Sequence, residues 1–147
     1  MQENLIAPCG MNCGLCASYL AMKNDLKKKG FNKKYCEGCI PRGKNCTFMK
    51  GNCDLIGKGK VRFCYEWIDF PCARLKTLDK RYSTKYHMSM IENLNMINEN
   101  GIEYFLEVQK EKWKCKNCGQ TICCHNGLCL NCDLEKLINN KKYKWEQ

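Results

Sequence analysis

Apolar positions along this chain follow a helical period in four stretches and lose all period between them. Leu15, Tyr19, Met22 and Leu26 recur at helical spacing, and Lys27-Lys28-Lys29 followed by Gly30 suits a helix end, so a helix is expected over 14–29. Residues 40–63 are glycine-rich and poor in large apolar side chains, which reads as a loop held through Cys46, Cys53 and Cys64. Pro71 suits the first turn of a helix running to about Tyr82, with Leu75 and Leu78 on its inner face. Ser89 and Glu92 form a capping box ahead of Met90, Ile91, Leu94 and Ile97, and Asn100-Gly101 is the stop. Tyr104, Phe105 and Val108 predict a further helix over 102–112, which should make the main apolar contact of the middle segment with the one before it.

Past Lys112 the pattern changes. Thr121 and Ile122 favour strand, Asn126-Gly127 is a hairpin turn signal, and Asp133 is placed to cap a short helix carrying Leu134, Leu137 and Ile138. The expected fold class is α+β, small and metal-stabilised. It comprises a cysteine-rich helical and loop region at 1–72, a helical segment at 73–112, and a zinc-ribbon-like β-hairpin module with a terminal helix at 113–147.

Fifteen cysteines in 147 residues explain the appeal to metal. Without them the apolar supply is modest, and a small chain then needs metals or disulfides to complete its core. Four pairs have Cys-x2-Cys spacing, which turns both sulfurs toward one point and favours a metal over a disulfide framework. Cys115, Cys118, Cys129 and Cys132, with ten residues between the pairs, form the most specific set. Cys13 and Cys16 stand 19 residues before Cys36 and Cys39, the interval at which two knuckles share one zinc. Cys46, Cys53, Cys64 and Cys72 make a third set without a knuckle, so two to three zinc ions are expected. Cys9 is an alternate ligand or a buried thiol. On a strand, Cys123 and His125 would share one face with Cys124 on the other, which makes Cys123 and His125 further alternate ligands. The other role for His125 is hydrogen bonding near the hairpin; His87, without an acidic or thiol neighbour, reads as a surface histidine.

Residues 4–22 carry no charge, yet Glu3 precedes them and Pro8, Gly10, Asn12 and Gly14 interrupt them, so they do not read as an export signal. No stretch is long and apolar enough to span a bilayer. A cytoplasmic, reducing location is expected, which again favours thiolates over disulfides. The formal charge of +10 would ordinarily point to nucleic acid. Each four-thiolate zinc site carries a net −2, so three of them lower that excess to about +4.

Cys9-Gly10, Cys13, Cys16, Cys36-Glu37-Gly38-Cys39, Phe70-Pro71-Cys72, Arg81-Tyr82, Tyr86, Cys115-Lys116-Asn117-Cys118-Gly119, Cys123, His125, Cys129 and Cys132 together carry a resemblance. The pattern resembles a prokaryotic family of small cysteine-rich proteins, domain of unknown function 3795. That pattern commonly has a second cysteine shortly after the one matching Cys64, where this chain has Trp67. The resemblance implies cysteine-rich metal-binding architecture and names no reaction.

Two classes of function follow. The first is a zinc protein with structural metals that binds a protein or a nucleic acid. For the latter, Lys80, Arg81, Tyr82, Lys85 and Tyr86 are the candidate RNA surface, set against a plain solvated helix end. The second is an iron-sulfur or thiol-based redox protein, since thiolate sets suit iron as well as zinc. Cys9-x3-Cys13-x2-Cys16 has the spacing of radical enzymes that use S-adenosylmethionine, but 147 residues with a helical middle cannot supply their partial barrel. No Ser/His/Asp array or phosphate loop is present in the sequence, so an enzyme is the lesser expectation.

Overall fold

The computed structural model describes residues 1–42, 53–140 and 144–145. Cys46 and the rest of 43–52 in the expected 40–63 loop lie outside the described residues. Six α-helices are present among those described: α1 (Ala17–Lys23), α2 (Asp54–Gly57), α3 (Ala73–Tyr86), α4 (Met90–Asn100), α5 (Ile102–Lys112) and α6 (Leu134–Asn139). Single 3-10 turns occupy Glu3–Leu5, Cys13–Leu15 and Cys64–Glu66.

Helices α4 and α5 begin and end where the sequence signals place them. Ser89 accepts the Glu92 N–H at the start of α4, and Gly101 (φ +86°) ends it. Helix α4 packs against both α3 and α5. Leu75 and Leu78 of α3 are buried as expected, and Phe105 is the fully buried anchor of α5. The inner face of α5 is nevertheless turned from the expected one. Tyr104 is exposed, while Phe105, Gln109 and Trp113, one helical turn apart, face inward.

Helix α1 is shorter than the expected 14–29. The Asn24 side chain donates to the Leu20 carbonyl at 2.8 Å, Asp25 adopts a left-handed backbone (φ +48°), and the Leu26 N–H returns to the Ala21 carbonyl. Asp25 also accepts the Tyr35 hydroxyl at 2.7 Å, so a tertiary contact holds the chain at the point where periodicity alone would continue the helix. Leu26 is still fully buried, from a turn and not from a helix. Helix α3 errs in the other direction and runs four residues beyond Tyr82.

The expected C-terminal β-hairpin, and with it the α+β class, is overturned. The described residues are helical with no sheet, and pairing is limited to the isolated bridges Ile6↔Asn12, Lys114↔Thr121 and Ile122↔Cys129. The reason lies in where the backbone donors go. Gly119 N–H returns to Cys115 and Gly127 N–H to Cys123, closing tight turns, while Ile122 N–H to Trp113 and Cys115 N–H to Gln120 make only the single bridge Lys114↔Thr121. The Cys124 N–H leaves the module and bonds the Leu15 carbonyl at 2.9 Å. Few donors remain for a ladder.

Two apolar cores result. The larger joins the N-terminal stretch, including Ile6 and Leu15, to Leu75, Met90, Leu94 and Phe105. The smaller joins Leu20, Ala21, Leu26 and Phe31 to Cys123, Leu128, Leu130 and Leu137. Burying each such leucine contributes about 2 kcal/mol, so the smaller core attaches the C-terminal cysteine turns firmly to α1. Trp145 adds a lock: its indole N–H donates to the Cys124 carbonyl at 2.7 Å, and its ring fills the space beside Gly127.

Candidate metal centre

Cys115 follows α5 at the mouth of a turn closed by the Gly119 N–H, and Cys129 and Cys132 lie in the turns that lead into α6. These two turns face each other. The sulfurs of Cys115, Cys118, Cys129 and Cys132 all lie within 4.8 Å of one another, and those of Cys118 and Cys129 are 3.4 Å apart. Four thiolates around zinc at about 2.3 Å have sulfurs roughly 3.8 Å apart, so the set fits such an ion with little adjustment. Among the described residues it is the one group of three or more ligand atoms drawn this close.

Neighbouring groups act on these sulfurs in opposite directions. The Gln120 backbone N–H, ahead of contacts with the other thiols, brings the Cys118 pKa down to about 6. Partial burial pushes Cys129 up to about 12. Asn117 donates its side-chain amide to the Cys132 sulfur at 3.2 Å, and Asp133 accepts the Cys129 N–H at 3.0 Å. Sequence reading placed Asp133 as a helix cap and missed Asn117; the one signal for Asn117 is its position inside the first knuckle. Asp133 does stand at the start of α6, but its carboxylate makes no cap hydrogen bond there.

The other cysteines are arranged differently. The neighbouring Cys39 thiol, ahead of burial, raises the Cys13 pKa far above the usual thiol range, and Cys13 in turn lowers that of Cys39 to about 7. Burial raises Cys16, with a smaller contribution from the charge of Cys36. Arg42 donates to the Cys36 sulfur at 3.2 Å, a partner that the sequence reading did not single out. The four sulfurs of Cys13, Cys16, Cys36 and Cys39 do not draw within 4.8 Å of one another. Cys53, Cys64 and Cys72 line a common cavity. Burial pushes Cys64 up to about 12. Cys9 is buried in the larger core.

Cys123 and Cys124 are both fully buried, Cys123 in the smaller core and Cys124 in the larger. Burial raises both pKa values, that of Cys123 to about 12. His125 accepts the Ala17 N–H through Nδ1 at 3.2 Å, so it serves the first turn of α1. Its Nε2 stands 3.4 Å from the Tyr82 hydroxyl, and the Tyr86 ring packs on it edge-on at 5.0 Å. With Nδ1 accepting, Nε2 carries the proton and donates. The candidate RNA surface is thereby altered: Lys80, Arg81 and Lys85 are exposed, but Tyr82 and Tyr86 are half-buried against each other and His125. His87 is exposed, ends α3 in a left-handed conformation, and packs on Trp145.

Burial lowers the His125 pKa to about 4 from the ordinary 6.5, with a smaller contribution from Lys33. The unfolded chain takes up a proton that the folded chain resists. The stability due to neutral His125 is therefore complete above pH 6.5 and lost as pH falls toward 4. Urea unfolding at pH 7 and pH 5 should show His125→Ala losing about 2 kcal/mol less than the parent between those values. Equal losses would remove His125 as a titrating element.

Fold and site define a small helical, cysteine-rich protein with a four-cysteine centre able to hold a metal ion. Residues 5–77 match the family model described as Protein of unknown function (DUF3795), so this part of the chain is a domain of that family. The four-cysteine centre lies beyond the matched residues. No curated protein and no solved structure matches the chain. No helix among the described residues is long and apolar enough to cross a membrane.

Proposed function

We propose that this is a zinc protein whose metal is structural, and that zinc sits between Cys115, Cys118, Cys129 and Cys132. The observation that carries the reading is the convergence of four sulfurs within 4.8 Å. An all-sulfur donor set suits a borderline-soft ion, and four protein ligands leave no position for water or substrate. The ion would cross-link turns that have no ladder of their own and hold them against α1. A second ion is assigned to Cys13, Cys16, Cys36 and Cys39, supported by their paired spacing and by the way the Cys13 and Cys39 thiols shift each other's titration. Thiolate sets of this kind persist in a reducing compartment, which favours the cytoplasm. The biological task on this reading is to present a surface to a partner. A protein partner is favoured over RNA because the Tyr82 and Tyr86 rings are already engaged with His125.

Metal analysis and a visible spectrum of protein purified without oxygen test the assignment. Zinc without colour is expected, and Cys118→Ser should contain one ion fewer per chain. Iron with visible absorption would replace zinc by a cluster. Unchanged stoichiometry in Cys118→Ser would remove the C-terminal site.

A further inference from the structure

Helix α3 carries a cationic face that the fold leaves open. At about 3.6 residues per turn, Ala73, Thr77 and Thr84 run along the middle of its outer side, with Lys76 and Lys80 along one edge and Arg81 and Lys85 along the other. All of these residues are exposed. None of the four cations joins an ion pair among the described residues. Asp79, the one carboxylate of α3, is engaged at the start of α4, where it accepts the Ser89 hydroxyl at 2.7 Å and the Ile91 N–H at 3.0 Å. Thr77 and Thr84 donate their hydroxyl protons to the Ala73 and Lys80 carbonyls one turn back, at 3.0 and 2.7 Å.

What this face lacks selects its partner. The exposed large apolar side chains among the described residues are Met1, Ile68 and Tyr104, none of them on α3. A protein interface is anchored by buried aromatic or aliphatic groups, and a membrane-bound helix inserts an apolar side; a polyphosphate is held by charge alone. Tyr82 and Tyr86 are engaged with His125, so no ring is offered to the splayed bases of a single strand, whereas a duplex keeps its bases stacked and presents phosphates. Between duplexes, groove width decides. A helix about 10–12 Å across enters the B-form major groove, about 12 Å wide, and is excluded from the narrow major groove of A-form RNA. Short side chains along the middle of the face let the helix approach, and cations on both edges reach both strands. Lys27-Lys28-Lys29 is a denser run, but Lys28 pairs with Asp25, Lys27 lies over the Tyr35 ring, and the run lies in turns that present no single face.

We propose that the outer face of α3 docks in the major groove of B-form DNA, with Lys76, Lys80, Arg81 and Lys85 on phosphates of the two strands. The proposal goes beyond the zinc assignment and uses none of its ligands. The hydroxyl protons of Thr77 and Thr84 are already spent on the helix, so binding depends on phosphates and little on base sequence.

The test is fluorescence anisotropy of a labelled DNA duplex of mixed sequence, titrated with full-length, zinc-loaded protein at several salt concentrations. Four phosphate contacts predict a slope of log affinity on log salt of roughly −3.6. The double variant Lys76→Gln/Arg81→Gln should flatten that slope by about 1.8. Lys29→Gln/Lys34→Gln removes the same charge from exposed positions elsewhere and should leave the slope as in the parent. DNA should also protect Lys76, Lys80 and Lys85 from acetylation in the parent protein, a readout that stands even if a variant fails to fold. No binding at low salt, equal flattening by the two double variants, tighter binding to an RNA duplex or to polyglutamate than to DNA, or protection confined to other lysines would each overturn the assignment.

Discussion

Cys118→Ser should release the C-terminal stretch from helix α1 while helices α3, α4 and α5 stay folded. The turns that carry Cys115, Cys118, Cys129 and Cys132 are closed by single hydrogen bonds and isolated bridges, so an ion between them would fix the backbone from which Leu128, Leu130 and Leu137 reach the smaller core. Zinc binding contributes on the order of 10 kcal/mol to small modules of this kind, more than the whole stability of many domains. Loss of the ion would leave Leu128, Leu130 and Leu137 to hold the smaller core without a fixed backbone. Two amides report the event directly. The Ala17 N–H is held by His125 and the Cys124 N–H bonds Leu15, so both should exchange with solvent far faster in the variant. Amides of α4 and α5 should keep their protection, because their core is formed with the N-terminal stretch and α3. Hydrogen exchange read by mass spectrometry settles the point. Unchanged protection over 115–139 in a variant shown to lack the ion would sink the idea that metal organises this stretch.

Gly10→Ala is expected to be the most damaging single-methyl change in the domain that matches the family. Gly10 has φ +87°, where a side chain already costs about 1 to 2 kcal/mol. A Cβ there would lie 2.6 Å from the Met90 carbonyl oxygen and 2.9 Å from Leu94 Cγ. Neither can retreat easily, since Met90 and Leu94 belong to α4 and are fully buried. Moving the loop instead would strain the hydrogen bond from the Asn93 side chain to the Gly10 carbonyl, which is buried and 2.9 Å long. Overpacking adds about 1 to 3 kcal/mol, for a total near 4 kcal/mol and a fall in Tm of about 10 °C. Gly101→Ala is the control. It has a similar φ of +86° with nothing within 4 Å of a Cβ, so it isolates the backbone cost. Equal melting shifts for the two variants would mean that the close approach to α4 carries no energy.

What the sequence by itself determined is local in origin. Ser89 and Gly101 bound α4 because a cap and a stop act within a few residues, and α5 follows from its own period. The pairing of Cys115 and Cys118 with Cys129 and Cys132 was readable for the same reason: short turns aim neighbouring sulfurs at one point. What only the tertiary structure decided involves partners distant in the chain. Helix α1 stops at Lys23 because Asp25 turns to meet Tyr35. The ribbon strands do not form because Cys124 gives its N–H to Leu15, more than a hundred residues away, and His125 reaches the start of α1. Thr121 and Ile122 keep their strand propensity, but propensity is a weak preference beside buried hydrogen bonds and packing. Cys53, Cys64 and Cys72 belong to no Cys-x2-Cys pair, and they share a cavity only because the fold brings the N-cap of α3 against the turn at Cys64.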